Sequence, residues 1–129
     1  MRRARSIRDE RGSTTLELTL LTPILLAAVI AAVQLALAYH ARHVLLAAAQ
    51  EGARVARADG GTEAAARDRS LVFVTDVGGR VVSAPTVVAE QTATTATVTV
   101  TGRVLTVLPG VTIRLAATST GPRETFTAP

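Results

Sequence analysis

Hydrophobic and polar positions divide the chain into zones of different period. From residue 18 to residue 37 no side chain is charged, and Thr19, Thr22 and Gln34 are the only clearly polar ones. Twenty such residues are the length an α-helix needs to cross a bilayer's hydrocarbon core. A surface helix of a soluble domain would carry a polar stripe, and this run has none. The pattern predicts one transmembrane helix over about 18–39. Beyond it the period stays helical but becomes one-sided. Ala41, Val44, Leu45, Ala48, Gly52 and Val55 share a face, with Arg42, Gln50, Arg54 and Arg57 largely off it. Asp59, Gly60 and Gly61 end the helix, glycine being suited to the left-handed C-terminal position. A single long helix is therefore expected over 13–58, half in the membrane and half outside.

The remainder predicts a small α+β domain over 59–120. Thr62 is a fair N-cap for a second helix running to about Asp76 and closed by Gly78 and Gly79. Its apolar face reads as Ala64, Leu71, Val74 and Val77. Val72, Phe73 and Val74 also suit a strand, which leaves 71–77 open between the two. Period two follows. Residues 80–88 are β-rich but hold Pro85, the mark of an edge strand or a bulge. Ala96, Val98, Val100 and Val104 face one way, against Thr95, Thr97, Thr99, Thr101 and Arg103. Val111, Ile113, Leu115 and Ala117 repeat the alternation against Thr112, Arg114 and Thr118. One-sided alternation belongs to an antiparallel sheet with one face buried and one wet. The connections fall at 89–92 and at Leu108, Pro109 and Gly110. The two helices would cover the apolar face, giving a pilin-like plan with a three-stranded antiparallel sheet. Residues 121–129 read as a flexible tail.

Composition narrows the function. There is no cysteine, hence no disulfide framework or thiolate metal site. The net charge is +4 and every basic residue is Arg, which fits a GC-rich coding bias. Nucleic-acid binding would call for clustered Arg with stacking aromatics on the folded domain. Tyr39, Phe73 and Phe126 are scattered instead, so no nucleic-acid partner is expected. His40 and His43 share a helix face, but no third ligand completes a metal set. No phosphate loop or Ser-His-Asp order appears. No cofactor, metal or catalytic residue is expected, and the chain reads as a non-enzyme.

The N-terminus carries Arg2, Arg3, Arg5, Arg8 and Arg11 against Asp9 and Glu10. By the positive-inside rule this places the N-terminus in the cytoplasm and the C-terminal domain outside the membrane. Three readings of the first 40 residues stand side by side. One is a secretory signal cut near Ala36, Leu37 and Ala38, for which the apolar run is long. The second is an uncut anchor. The third is a basic cytoplasmic leader, residues 1–12, cut between Gly12 and Ser13 by a prepilin-type peptidase. Glu17 is the only acid of the apolar zone and the fifth residue counted from Ser13. A carboxylate there is costly without a partner, and the new Ser13 amine of a neighbouring subunit would supply one. Placement near a helix N-terminus favours an acid in any case. Ala28, Ala32 and Ala36 add a small-residue spacing suited to close helix packing in lipid.

Arg11, Gly12, Ser13, Thr14, Thr15, Leu16, Glu17 and Leu18, the early Pro23, and Ala48, Ala49, Gln50, Glu51, Gly52, Ala53 and Arg54 together resemble the TadE-like family. Its members are minor pilins or pseudopilins of the tight-adherence pilus machinery, related to type IV pili. The resemblance covers about 11–57, with Gln50 where Arg is common and Glu51-Gly52-Ala53-Arg54 as the family-like motif. It implies a membrane-anchored pilus-assembly component partnered by other pilin-like subunits and processed by a prepilin peptidase. The alternative is an anchored extracytoplasmic binding or scaffold domain unrelated to pili.

Overall fold

A computed structural model describes residues 8–124; residues 1–7 of the leader and 125–129 of the tail lie outside the described residues. Helix α1 (Arg8–Arg57) is followed by α2 (Glu63–Gly78) and by strands β1 (Val82–Gln91), β2 (Thr95–Val104) and β3 (Ile113–Pro122). The fold is α+β, with the long helix, the short second helix and the three-stranded antiparallel sheet expected from the pattern. The sheet order is β1-β2-β3. Helix α1 holds 50 residues, about 75 Å at 1.5 Å per residue. Its start at Arg8 lies inside the stretch read as leader, so Gly12 and Ser13 are part of the helix.

Pro23 sits inside α1 without ending it. A proline leaves the carbonyl four residues back without its partner. The hydroxyls of Thr19 and Thr22 donate instead to Thr15 O (2.8 Å) and Leu18 O (2.7 Å). They satisfy their own donors one turn back, as threonine does in apolar helices.

The turn between the helices is capped at both sides. Gly60 takes φ +73°, and Thr62 accepts from Ala65 N at 3.1 Å as the N-cap of α2. Residues 71–77 are helical, which resolves the helix-or-strand alternative. The face of α2 differs from the expected one. Ala66, Ser70, Val74 and Gly78 are buried, while Ala64 and Val77 are exposed. The buried ridge is built on small residues because α1 passes close over it.

In the sheet, β2 alternates as expected, with Ala96, Val98, Val100 and Val104 buried. Gly102 joins that inner face. Val87 pairs with Val100, which pairs with Ala117. In β1, Val82 and Val87 are both buried although five residues apart, a spacing that should put them on opposite faces. One extra residue between Ser83 and Thr86 shifts the register and restores parity. Ala84 takes φ +47° there, and Pro85 lies in the same bulge on an edge strand. Strand β1 runs on through Ala89 to Gln91, so the first connection shrinks to 92–94. Val111 falls outside β3. At its far end β3 continues to Pro122, past the point read as tail. Arg123 N donates to Thr94 O and Glu124 N to Arg57 O, each at 2.9 Å, which ties 121–124 to the body.

The core lies between the second half of α1, helix α2 and the inner face of the sheet. Leu45, Val74, Val98 and Val100 are its largest fully buried apolar side chains. The stripe on α1 is broader than predicted. Ala49, Ala53 and Ala56 are buried with Ala41, Val44, Leu45, Ala48 and Gly52, whereas Val55 is half-buried. The helix meets α2 on one side and the sheet on the other, so two adjoining faces are covered.

Candidate functional site

Helix α1 is two surfaces in one element. From Gln34 onward one side of it is covered by the head formed by α2 and the sheet. From Thr14 to Val33 it is bare, with only Ile30 half-buried. Ten large apolar side chains between residues 16 and 35 are 44–72% exposed. Fully burying one such side chain is worth roughly 1.5–3 kcal/mol, so this surface forgoes on the order of 20 kcal/mol in water, more than a typical domain's whole stability. It is built to be covered. The helix from Thr14 is long and apolar enough to cross a membrane. Glu17 is exposed near its start, and Ala28, Ala32 and Ala36 form one exposed ridge at i, i+4, i+8.

The Glu51-Gly52-Ala53-Arg54 motif sits at the crossing of α1, α2 and β2. A Cβ on Gly52 would collide with Ser70 Oγ, lie 2.9 Å from Ala66 O and 3.1 Å from Val98 Cγ1. Glycine is needed because another helix backbone occupies the space of its side chain. Ser70 is fully buried and donates to Ala48 O at 2.9 Å, across the same contact. Ala53 is fully buried. Glu51 meets Arg54 at 3.3 Å and Arg69 of α2 at 3.7 Å. Such partly exposed pairs contribute at most about 1 kcal/mol. Gly52 and Ala53 set the distance between the helices, and Glu51 adds a weak tie across them. Arg54 faces water.

Among the sequence-predicted positions, only the motif residues are brought together. Gly12 and Ser13 lie in the first turns of α1, and Glu17 and the alanine ridge follow along its bare part. His40 and His43 are exposed, and the His43 ring packs edge-on against Tyr39 at 4.4 Å.

Two glutamines join distant parts of the chain. Gln34 Oε1 accepts from Val107 N at 2.9 Å, and its Nε2 donates to Leu105 O at 3.3 Å. The β2–β3 loop is thereby fixed to α1 within the apolar run. The signal was present, because an amide in such a run needs partners. Gln91 Nε2 donates to Ala56 O (2.7 Å) and Gly61 O (3.0 Å), and Gln91 N donates to Glu63 Oε1 (2.8 Å). It holds the α1–α2 turn against the sheet, and no local pattern announces it.

Residues 12–54, a third of the chain, match the family described as TadE-like protein. The match begins at Gly12 and ends at Arg54, so it spans the bare half of α1 and the helix-packing motif. No curated protein and no solved structure matches the chain.

Proposed function

We propose that this chain, TadE-like over residues 12–54, is a single-pass membrane component of tight-adherence pilus assembly. It acts as a minor pilin or pseudopilin, by helix packing and not by catalysis. The carrying observation is the division of α1 into a bare apolar half and a half locked to a folded head. Lipid covers the bare half before assembly, and neighbouring pilin-like helices replace part of that lipid afterwards.

The leader arginines hold the N-terminus in the cytoplasm and the head outside. A reporter active only outside the cytoplasm, fused after Pro129, should be active. Activity confined to a fusion at Met1 would reverse the orientation. Changing the leader arginines to acids should weaken or invert insertion.

Cleavage between Gly12 and Ser13 requires the first turns of α1 to open, which helix termini do readily. The Ser13 amine then lies one turn from Glu17 of its own chain. In a packed bundle the carboxylate takes the amine of a neighbour and sets the axial stagger. A free subunit keeps Glu17 within reach of headgroup water, so the charge matters differentially. Mature protein from membranes should begin at Ser13 by N-terminal sequencing. Glu17→Gln should be inserted and cut normally. Its incorporation into the assembly should fall about tenfold or more, since an unpartnered charge in a dry interface costs several kcal/mol. Equal incorporation of Glu17→Gln and wild type would leave Glu17 with only its place at a helix start.

A further inference from the structure

We infer that the β2–β3 loop, residues 105–112, is a second membrane-contacting element, whose apolar tip enters the outer boundary of the same bilayer that α1 crosses. The inference rests on the membrane reading of α1. Depth is the first argument. Gln34 lies 17 residues beyond Glu17, about 26 Å along the axis at 1.5 Å per residue, in a hydrocarbon core of about 30 Å. Its side chain bonds the loop backbone at Leu105 and Val107, so the loop sits at the level of the outer hydrocarbon boundary.

The loop's chemistry fits that depth. Leu105, Val107, Leu108 and Val111 are 40–47% exposed, and no residue of the loop is charged. Irregular backbone tolerates an apolar medium only when its polar groups are satisfied within the protein. Here Leu105 N donates to Val81 O (2.8 Å), and Leu105 O and Val107 N are taken by Gln34. The Thr106 hydroxyl donates to Val111 O (2.8 Å). The same bonds remove the cost of placing the Gln34 amide in the span. These polar groups at the loop's base turn inward, while Leu105, Val107, Leu108 and Val111 stay exposed.

Charge supplies a separate argument. Arg103 and Arg114 are directly opposed on β2 and β3, one pair outside the loop's base, and both are exposed. Like charges across a sheet are unfavourable, and neither makes an ion pair among the described residues. Both line an open hollow of about 200 Å³. Lipid phosphates would neutralise the pair while the tip lies below them.

The chain has no tryptophan, so single-tryptophan variants report depth without background. The full chain carrying Leu108→Trp, Val88→Trp or Leu26→Trp is reconstituted in phosphatidylcholine–phosphatidylglycerol vesicles with or without bromine on the acyl chains. Leu108→Trp and Leu26→Trp should emit to the blue and lose most of their emission to the brominated lipid. Val88→Trp, on the outer sheet face away from the loop, should stay water-like and unquenched. Blue emission from Leu108→Trp without quenching would mean that protein covers the tip and would overturn the inference. Water-like, unquenched emission there, with Leu26→Trp quenched, would overturn it and leave the anchor standing. An unquenched Leu26→Trp would remove the anchor and the loop inference together.

Discussion

Gly52→Val is expected to take away a large share of the head's stability while leaving membrane insertion of the chain intact. The new side chain has to displace Ser70 Oγ and the Ala66 carbonyl, and the second of these is helix backbone. Moving Ser70 also breaks its buried hydrogen bond to Ala48 O. Overpacking costs typically 1–3 kcal/mol and an orphaned buried polar group about 1–3 more, so a loss of roughly 4 kcal/mol is expected. A small domain holds only about 5–15 kcal/mol in all. Thermal unfolding of the full chain in detergent, followed by limited proteolysis of the head, measures it. Wild-type resistance in Gly52→Val would mean that α1 and α2 are not in close contact at this point.

The second large effect is expected from Val100→Asp, set beside Thr99→Asp. Val100 is fully buried, paired with Val87 and Ala117. A carboxylate there has no partner and costs several kcal/mol whether it stays charged or takes up a proton. Thr99 is on the opposite face, where its hydroxyl meets that of Thr118 at 2.9 Å. Losing that exposed bond costs about 1 kcal/mol or less. Proteolysis should therefore digest the head of Val100→Asp and spare that of Thr99→Asp. Equal damage would mean that the strand is out of register by one residue.

These predictions rest on different degrees of legibility in the sequence. The faces of β2 were readable because threonine and valine alternate without interruption and only one face can be buried. The bare half of α1 was readable because no side chain from residue 18 to residue 37 is charged. The face of α2 was misread because its contact with α1 is made by Ala66, Ser70 and Gly78, residues chosen for smallness, which a hydrophobic pattern does not register. The extension of β1 to Gln91 was hidden for a related reason. Gln91 is held by α1 and the α1–α2 turn, contacts that depend on the assembled fold. In the candidate site, Gly52 was visible through family resemblance, and its physical reason emerges only when Ser70 and Val98 arrive from elsewhere in the chain. Gln34 stood out as polar in an apolar run, yet its partner loop is more than seventy residues away.

The helix that crosses from the bare half into the packed half does so without interruption. Between Pro23 and Gly52 it contains neither proline nor glycine, and from Ala41 to Ala56 it is clamped on two sides. There is consequently no swivel between span and head. The alanine ridge at 28, 32 and 36 has a fixed azimuth relative to the threonine face of the sheet. Successive residues advance about 100° around the axis at 3.6 per turn, so the heading of the head is set by counting residues along α1. On the proposed reading, a neighbour packed on the ridge within the bilayer would also decide which way the outer sheet face looks, because no proline or glycine hinge lies between the two.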